Sequence, residues 1–114
     1  WGDRVAVSKR RQSNNVLVGT ISSSESKVVD STDLTQFRGS QLLVSVYNRT
    51  QNVNRNFTMC LGLANGEPQD QIFNKIGDSL SIEVQSLLNG SLIEVQITNN
   101  EGYSLDYAIT KFDN

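Results

Sequence analysis

The chain has no histidine among its 114 residues. That removes the commonest general base, every Ser-His or Cys-His nucleophile pair and nearly all zinc sites. Cysteine occurs once, at Cys60, so no internal disulfide can form. With no imidazole to activate it, this thiol reads as a small buried hydrophobe in a strand, and a lone cysteine fits folding in a reducing compartment. Proline also occurs once, and the eight glycines are dispersed among turn signals, so no phosphate-cradling glycine loop is present. No stretch approaches the roughly 18 consecutive apolar residues of a membrane span, and no membrane contact is expected. The sequence opens at Trp1, with neither an initiator Met nor the layout of a signal peptide, and is expected to be a piece of a longer chain.

The length suits a single domain, and at this size about two thirds of the unfolded chain's surface is removed on folding, enough for a core without staples. The net charge of −2 is unevenly spread. Residues 1–13 form a basic amino-terminal arm, in which Arg4, Lys9, Arg10 and Arg11 outweigh Asp3, while residues 14–114 carry six basic and eleven acidic side chains. Arg10 and Arg11 could touch an acidic partner, but three adjacent basic residues without interleaved aromatics do not make a nucleic-acid site. Asn-X-Ser/Thr triplets begin at Asn48, Asn56 and Asn89, a number that an Asn-, Ser- and Thr-rich chain produces by chance.

Seven or eight short alternating segments separated by Asn, Gly, Asp and Ser clusters, with no sustained 3.6 period, predict an all-β domain over residues 14–114. Strands are expected at Arg4–Ser8, at Asn15–Ser22 with Val16, Val18 and Ile21 as its apolar residues, and at Lys27–Asp30. Further strands are expected at Gln41–Arg49, where Leu42, Val44 and Val46 alternate with Leu43, Ser45 and Tyr47, and around Phe57, Met59, Leu61 and Leu63. Ser31–Gly39 has cap-type residues at its start, Gly at its end, and Leu34 and Phe37 three apart, which predicts one short helical turn. Asn48–Asn56 reads as an exposed loop. Asn65-Gly66 is a turn signal, and Pro68 makes Gln69–Lys75 an edge strand or loop.

The clearest element is a hairpin over Ser79–Thr98. Asn89-Gly90 is the strongest short-range signal for a type I′ turn, and with those two residues as the loop Val84 faces Val95, Ile82 faces Ile97 and Leu87 faces Leu92. Leu80, Ile82, Val84, Val95 and Ile97 then share one face. Tyr103, Leu105, Tyr107 and Ile109 alternate in phase with that face, which predicts a carboxyl-terminal three-stranded meander. Its apolar face needs a covering layer, supplied by the strands from Val16 to Leu63. The expected fold is an antiparallel two-sheet β-sandwich, jelly-roll-like or another Greek key.

Chemistry is sparse. Asp30 with Asp33 and Glu67 with Asp70 are the only close carboxylate pairs, and both lie in turns where Asp serves the backbone. No catalytic residue, metal site or cofactor is expected. Of the aromatics Trp1, Tyr47, Tyr103 and Tyr107, the last two fall in phase with the core. Tyr47 does not, which leaves it free for solvent, a ligand or a neighbouring subunit. Leu87 and Leu92 form a small outward apolar pair suited to a partner contact.

One longer pattern stands out. Val28-Val29-Asp30, then Leu34 and Phe37-Arg38-Gly39-Ser40, then Leu42-Leu43-Val44-Ser45-Val46, a strand, an Asn-Gly turn and a closing Gly-Asp-Ser-Leu-Ser-Ile … Ile-Glu-Val-Gln-Ile-Thr-Asn-Asn hairpin together resemble small β-sandwich domains of tailed-bacteriophage virion proteins. The resemblance covers residues 27–112. It departs from the pattern after Asn65-Gly66, where Asp70-Gln71-Ile72-Phe73 replaces an aromatic-rich segment. It implies a non-enzymatic structural or adhesive domain of a tail, neck, fibre or decoration protein, assembled into a virion in the host cytoplasm. The implied partners are other virion proteins, further copies of the chain in a homo-oligomer and a host-surface receptor. The alternative from the residues alone is an extracellular carbohydrate- or ligand-binding module, with Tyr47 and Asn48–Asn56 at its site.

Overall fold

The computed structural model describes residues 14–113, and within them every regular element is a strand. The elements are β1 (Asn14–Ile21), β2 (Ser26–Asp33), β3 (Ser40–Asn48), β4 (Val53–Ala64), β5 (Glu67–Gly77), β6 (Ile82–Asn89), β7 (Leu92–Asn99) and β8 (Leu105–Asp113). They form two antiparallel sheets, sheet A in the order β1-β8-β3-β4-β5 and sheet B in the order β2-β7-β6. The predicted two-sheet sandwich is therefore the fold. The expected strand Arg4–Ser8 lies outside the described residues, as do Trp1, Arg10 and Arg11.

Period-2 alternation builds the core. Leu42, Val44 and Val46 of β3 face Met59, Phe57 and Arg55 of β4 and Lys111, Ile109 and Tyr107 of β8. Val95 and Ile97 of β7 cover them from sheet B, with Leu80, Ile82 and Val84 packed at the edge. At about 25 cal/mol per Å² of apolar area, burying each such side chain contributes about 1.5–3 kcal/mol. Of the apolar residues of the first strand, Val16 and Val18 point outward and Ile21 inward, because Leu17 and Ile21 are the residues of β1 opposite Ile109 and Leu105. Leu63 is also exposed, opposite Pro68 at the end of the β4–β5 hairpin. That hairpin turns on Asn65-Gly66, both at positive φ as a type I′ turn requires.

The β6–β7 hairpin forms, but one turn position later than predicted. Asn89 pairs with Leu92, and Gly90-Ser91 are the loop. Of the two only Gly90 has positive φ, at 63°, as in a type II′ turn. Asn89 stays in the ladder, where its Nδ2 donates to Glu94 Oε2 at 3.3 Å. Val84 thus faces Ile97 and Leu88 faces Ile93, while Leu87 faces Glu94 rather than Leu92. The shift is two residues, so each side chain keeps its predicted face.

The carboxyl-terminal meander does not form. Both edges of β7 are occupied, by β6 and by β2, so β8 crosses to sheet A and inserts between β1 and β3. In β2 a bulge at Val29 lets Val29 and Asp30 both point inward. The expected helical turn after it is instead a pair of overlapping turns, with Gln36 N donating to Asp33 O and Phe37 N to Leu34 O. Asn48–Asn56 is mostly strand as well: only Arg49–Asn52 turns before β4 begins at Val53.

Two buried polar features help to pin the sheets together. Asn99, fully buried, donates through Nδ2 to Ile21 O (3.0 Å) and Tyr103 O (2.9 Å) and accepts from Glu101 N (2.8 Å), so one amide ties the end of β1 to the crossover. At the other end Lys111 of β8 reaches across to β2. On the edge strand β1, the Tyr107 ring lies over Gly19, where a Cβ would come within 2.5 Å of its hydroxyl. The aromatic ring covers the gap that the glycine leaves.

Candidate functional site

Neither carboxylate pair is brought together. Asp30 points into the sandwich, whereas Asp33 sits at the end of β2 and holds the following turn, accepting from Thr35 N (2.9 Å) and Thr35 Oγ1 (2.8 Å). The bonds from the Thr35 backbone first, and its hydroxyl second, hold the Asp33 carboxyl below its ordinary value of 3.8. Asp70 accepts from the backbone N and hydroxyl of Ser86, linking β5 of one sheet to β6 of the other. Among the described residues, no three His, Cys, Asp or Glu side chains are grouped to hold a metal ion.

The strongest electrostatic cluster was not legible in the sequence. Lys111 Nζ lies 3.0 Å from Asp30 Oδ2 and 3.6 Å from Asp113 Oδ1, and it donates to Thr32 Oγ1. The Lys111 and Asp30 side chains are only 5% and 7% exposed. Asp113 in turn accepts from Ser40 Oγ at 2.7 Å. Each group has a partner, Lys111 against Asp30 and Asp113 with the Ser40 hydroxyl on Asp113, so the arrangement is a crosslink between the sheets with its polar atoms satisfied.

Tyr47 faces outward as predicted, at the β3–β4 tip. Together with Ser45, Asn48, Arg49, Asn52 and Asn54 it lines an open depression of about 360 Å³. The Arg49 guanidinium lies 5.7 Å from the Tyr47 ring centroid, and Asn48 is spent locally, donating to Ser104 O and accepting from Gln51 N. Leu87 and Leu92 are both half-buried on the outer face of sheet B, each opposite a polar residue, Glu94 and Asn89 respectively. They do not face each other directly, as a loop at Asn89-Gly90 implies, but are diagonal neighbours on one face.

The outer face of sheet A is a different surface. Its ladders set Phe112, Gln41, Cys60 and Gln71 in one row, Val16, Thr110, Leu43, Thr58 and Phe73 in the next, and Val18, Ala108, Ser45, Asn56 and Ile76 in a third. No charged side chain stands in these rows. Phe73 and Ile76 share the face because β5 carries one extra residue between them, with Asn74 at a φ of 56°. Val16, Val18, Leu43 and Ile76 are 69%, 70%, 44% and 68% exposed, and among the described residues only Val28 and Leu63 are comparably exposed large hydrophobics elsewhere. Cys60 is thus in a strand as expected, but half-buried on this face rather than in the core. Leu43 had the right phase to be found in the sequence. Val16 and Val18 did not, since their alternation alone cannot say which face is inside.

No protein-family model and no curated protein matches the chain. Solved structures do. The tailspike protein of Acinetobacter baumannii phage AM24 superposes with a TM-score of 0.59 at 7% identity, over 93% of this chain and 26% of that one. Tailspike protein gp49 of Acinetobacter baumannii bacteriophage Fri1, a capsular polysaccharide depolymerase, gives a TM-score of 0.50 at 14% identity, over 88% of this chain and 17% of that one. This chain therefore spans about a quarter or less of those proteins, and the likeness at such identities is one of fold: a β-sandwich of the kind found within phage tailspikes.

Proposed function

We propose that this chain is a structural or adhesive domain of a bacteriophage particle, working through protein–protein contact and not as an enzyme. The observation that carries the reading is the outer face of sheet A, where bulky apolar side chains are exposed across several strands with no charge among them. Exposed apolar side chains interleaved with small and uncharged polar ones, over a sheet face without charge, suit a contact surface. The fold shared with parts of two phage tailspikes supports the setting. Immunogold labelling and peptide mass spectrometry of purified particles of the parent phage test the reading: the domain is expected on the particle, and its absence from intact virions overturns the assignment. One observation favours a second reading, a ligand-binding module, namely the Tyr47 depression with its guanidinium and side-chain amides. A glycan array checks it, since a defined sugar ligand lost on Tyr47→Ala is the result that reading requires.

A further inference from the structure

We propose that the cleft between the edges of β5 and β6 binds a small amphipathic carboxylate, a short apolar tail ending in one carboxyl group. The cleft lies between the sheets, on the side of β4 and β5 opposite the uncharged outer face. It is a site separate from that contact surface.

The cleft follows from the sheet order. β5 ends sheet A and β6 ends sheet B, so among the described residues no further strand covers either edge. The two edges are fastened at both ends. At one, Asp70 of β5 accepts from the backbone N and hydroxyl of Ser86. At the other, the crossover from β5 to β6 is tied to β4, with Asp78 N donating to Asn54 O (2.7 Å) and Asn54 N to Asp78 Oδ2 (2.9 Å). Between these fastenings Ile72 forms one wall and Leu80, Ile82 and Val84 the other. Buried Phe57 is the floor of the half-open space, whose volume is about 110 Å³. Fixed ends leave the cleft preorganised, which spares a ligand the cost of ordering it. The space is smaller than the roughly 150 Å³ that takes up benzene, and it suits a tail of about four to six carbons.

Charge identifies the head group. Arg55 and Lys75 complete the lining, and no acidic side chain is part of it. These are two of only six basic residues in a stretch, 14–114, that holds eleven acidic ones. Arg55 Nη1 donates to Asp78 O at 3.0 Å, which orients the guanidinium and leaves its other N–H groups for a ligand. Among the described residues neither cation forms an ion pair. The flanking carboxylates of Asp70 and Asp78 already accept from backbone N–H groups. A backbone donor joins the cations: the Ser86 N–H points to the free edge of β6, so by the period of two the Val84 N–H does as well. An inward lysine on an edge strand also discourages addition of another strand, but that accounts for Lys75 alone, since Arg55 stands on β4, one strand inside the edge. A plain hydrocarbon would leave both cations unpaired. An anion without a tail would leave the apolar walls wet.

Titration of the full chain with sodium hexanoate, followed by two-dimensional amide NMR, tests the inference, with butyrate and hexanol as comparisons. Hexanoate is expected to shift the amides of Ile72, Lys75, Ile82 and Val84 saturably, with a millimolar Kd. Affinity is expected to rise about fourfold for each CH2 added between butyrate and hexanoate. Hexanol keeps the tail and loses the charge, and is expected to bind at least about threefold more weakly. Arg55→Gln and Lys75→Gln are each expected to weaken hexanoate about threefold and to leave hexanol unchanged, with the spectra reporting that the fold is kept. The comparison of hexanoate with hexanol on the wild type needs no variant to fold. An absence of saturable shifts overturns the inference, as does hexanol binding as tightly as hexanoate. Shifts centred on Val16, Val18, Leu43 and Ile76 overturn it too, since they mean adherence to the exposed outer face. Particle labelling is read separately, so either conclusion can fail without the other.

Discussion

Replacing Asp30 with alanine should cost this domain a large part of its stability. In the folded chain both Asp30 oxygens face Lys111, with Nζ at 3.0 Å from Oδ2 and 3.2 Å from Oδ1. Alanine leaves that ammonium buried with the Thr32 hydroxyl and with Asp113, whose carboxylate is 3.6 Å away and one-third exposed. Breaking one side of a buried pair costs about 3–5 kcal/mol, because the surviving charge has lost its water and its nearest counter-charge. Against a total of about 5–15 kcal/mol for a domain, that is a substantial share. With a urea m-value of about 1.5 kcal/mol/M, the unfolding midpoint falls by about 2–3 M. The decisive comparison is the double variant Asp30→Leu with Lys111→Met, which removes both charges and keeps the volume. It is expected to be neutral or stabilising by about 1–4 kcal/mol, so the two substitutions couple strongly in a double-mutant cycle. Urea unfolding by far-UV circular dichroism, on the wild type, both single variants and the double, measures all four corners. A loss below about 1 kcal/mol for Asp30→Ala, or a double variant as unstable as that single one, would refute the claim that the pair is desolvated.

Three further outcomes are expected. Asn99→Ala strands two carbonyls and one N–H at the crossover, and at about 1 kcal/mol or more for each lost partner it should cost about 3 kcal/mol. That corresponds to a fall in Tm of roughly 12–24 °C by scanning calorimetry, and a fall of under about 4 °C would mean that water replaces the amide. Gly19→Ala drives a methyl into the Tyr107 ring, which is buried and cannot step aside. A loss of about 1–3 kcal/mol is expected, while Gly62→Ala, where nothing lies within 4 Å of the new Cβ, shows no such clash in parallel melts. Asp33 titrates below its ordinary value because the folded state stabilises its charged form, so its contribution is present at pH values above that ordinary value and disappears as acid protonates the folded carboxylate. Thr35→Ala removes the smaller of the two bonding causes, so the Asp33 midpoint followed by NMR should rise part of the way toward 3.8, and no movement would show that the hydroxyl contributes nothing.

Inside-outside patterning of β3, β6 and β7 was legible because alternation has a period of two, and a sheet face is buried or exposed as a whole. That same periodicity hides what was missed. A hairpin slipped by two residues keeps every side chain on its face, so parity cannot separate a loop at Asn89-Gly90 from one at Gly90-Ser91. Ile82 faces Asn99, where the other register sets it against Ile97, yet its side chain is directed inward in both. The difference lies in one positive φ and one Asn89–Glu94 hydrogen bond. β8 is apolar on alternate residues whichever sheet it joins, and its place was decided by β2 occupying the free edge of β7.

What the sequence determined by itself is the all-β class, the inward faces of most strands and the outward phase of Leu43 and Tyr47, because these follow from local periodicity and turn chemistry. Only the tertiary structure decided strand order, the burial of Lys111 against Asp30, the three bonds of Asn99 and the gathering of Val16, Val18, Leu43 and Ile76 on one uncharged face. Each of these joins residues distant in the chain, and such pairings depend on which strand edges are already taken, a condition that no local pattern carries.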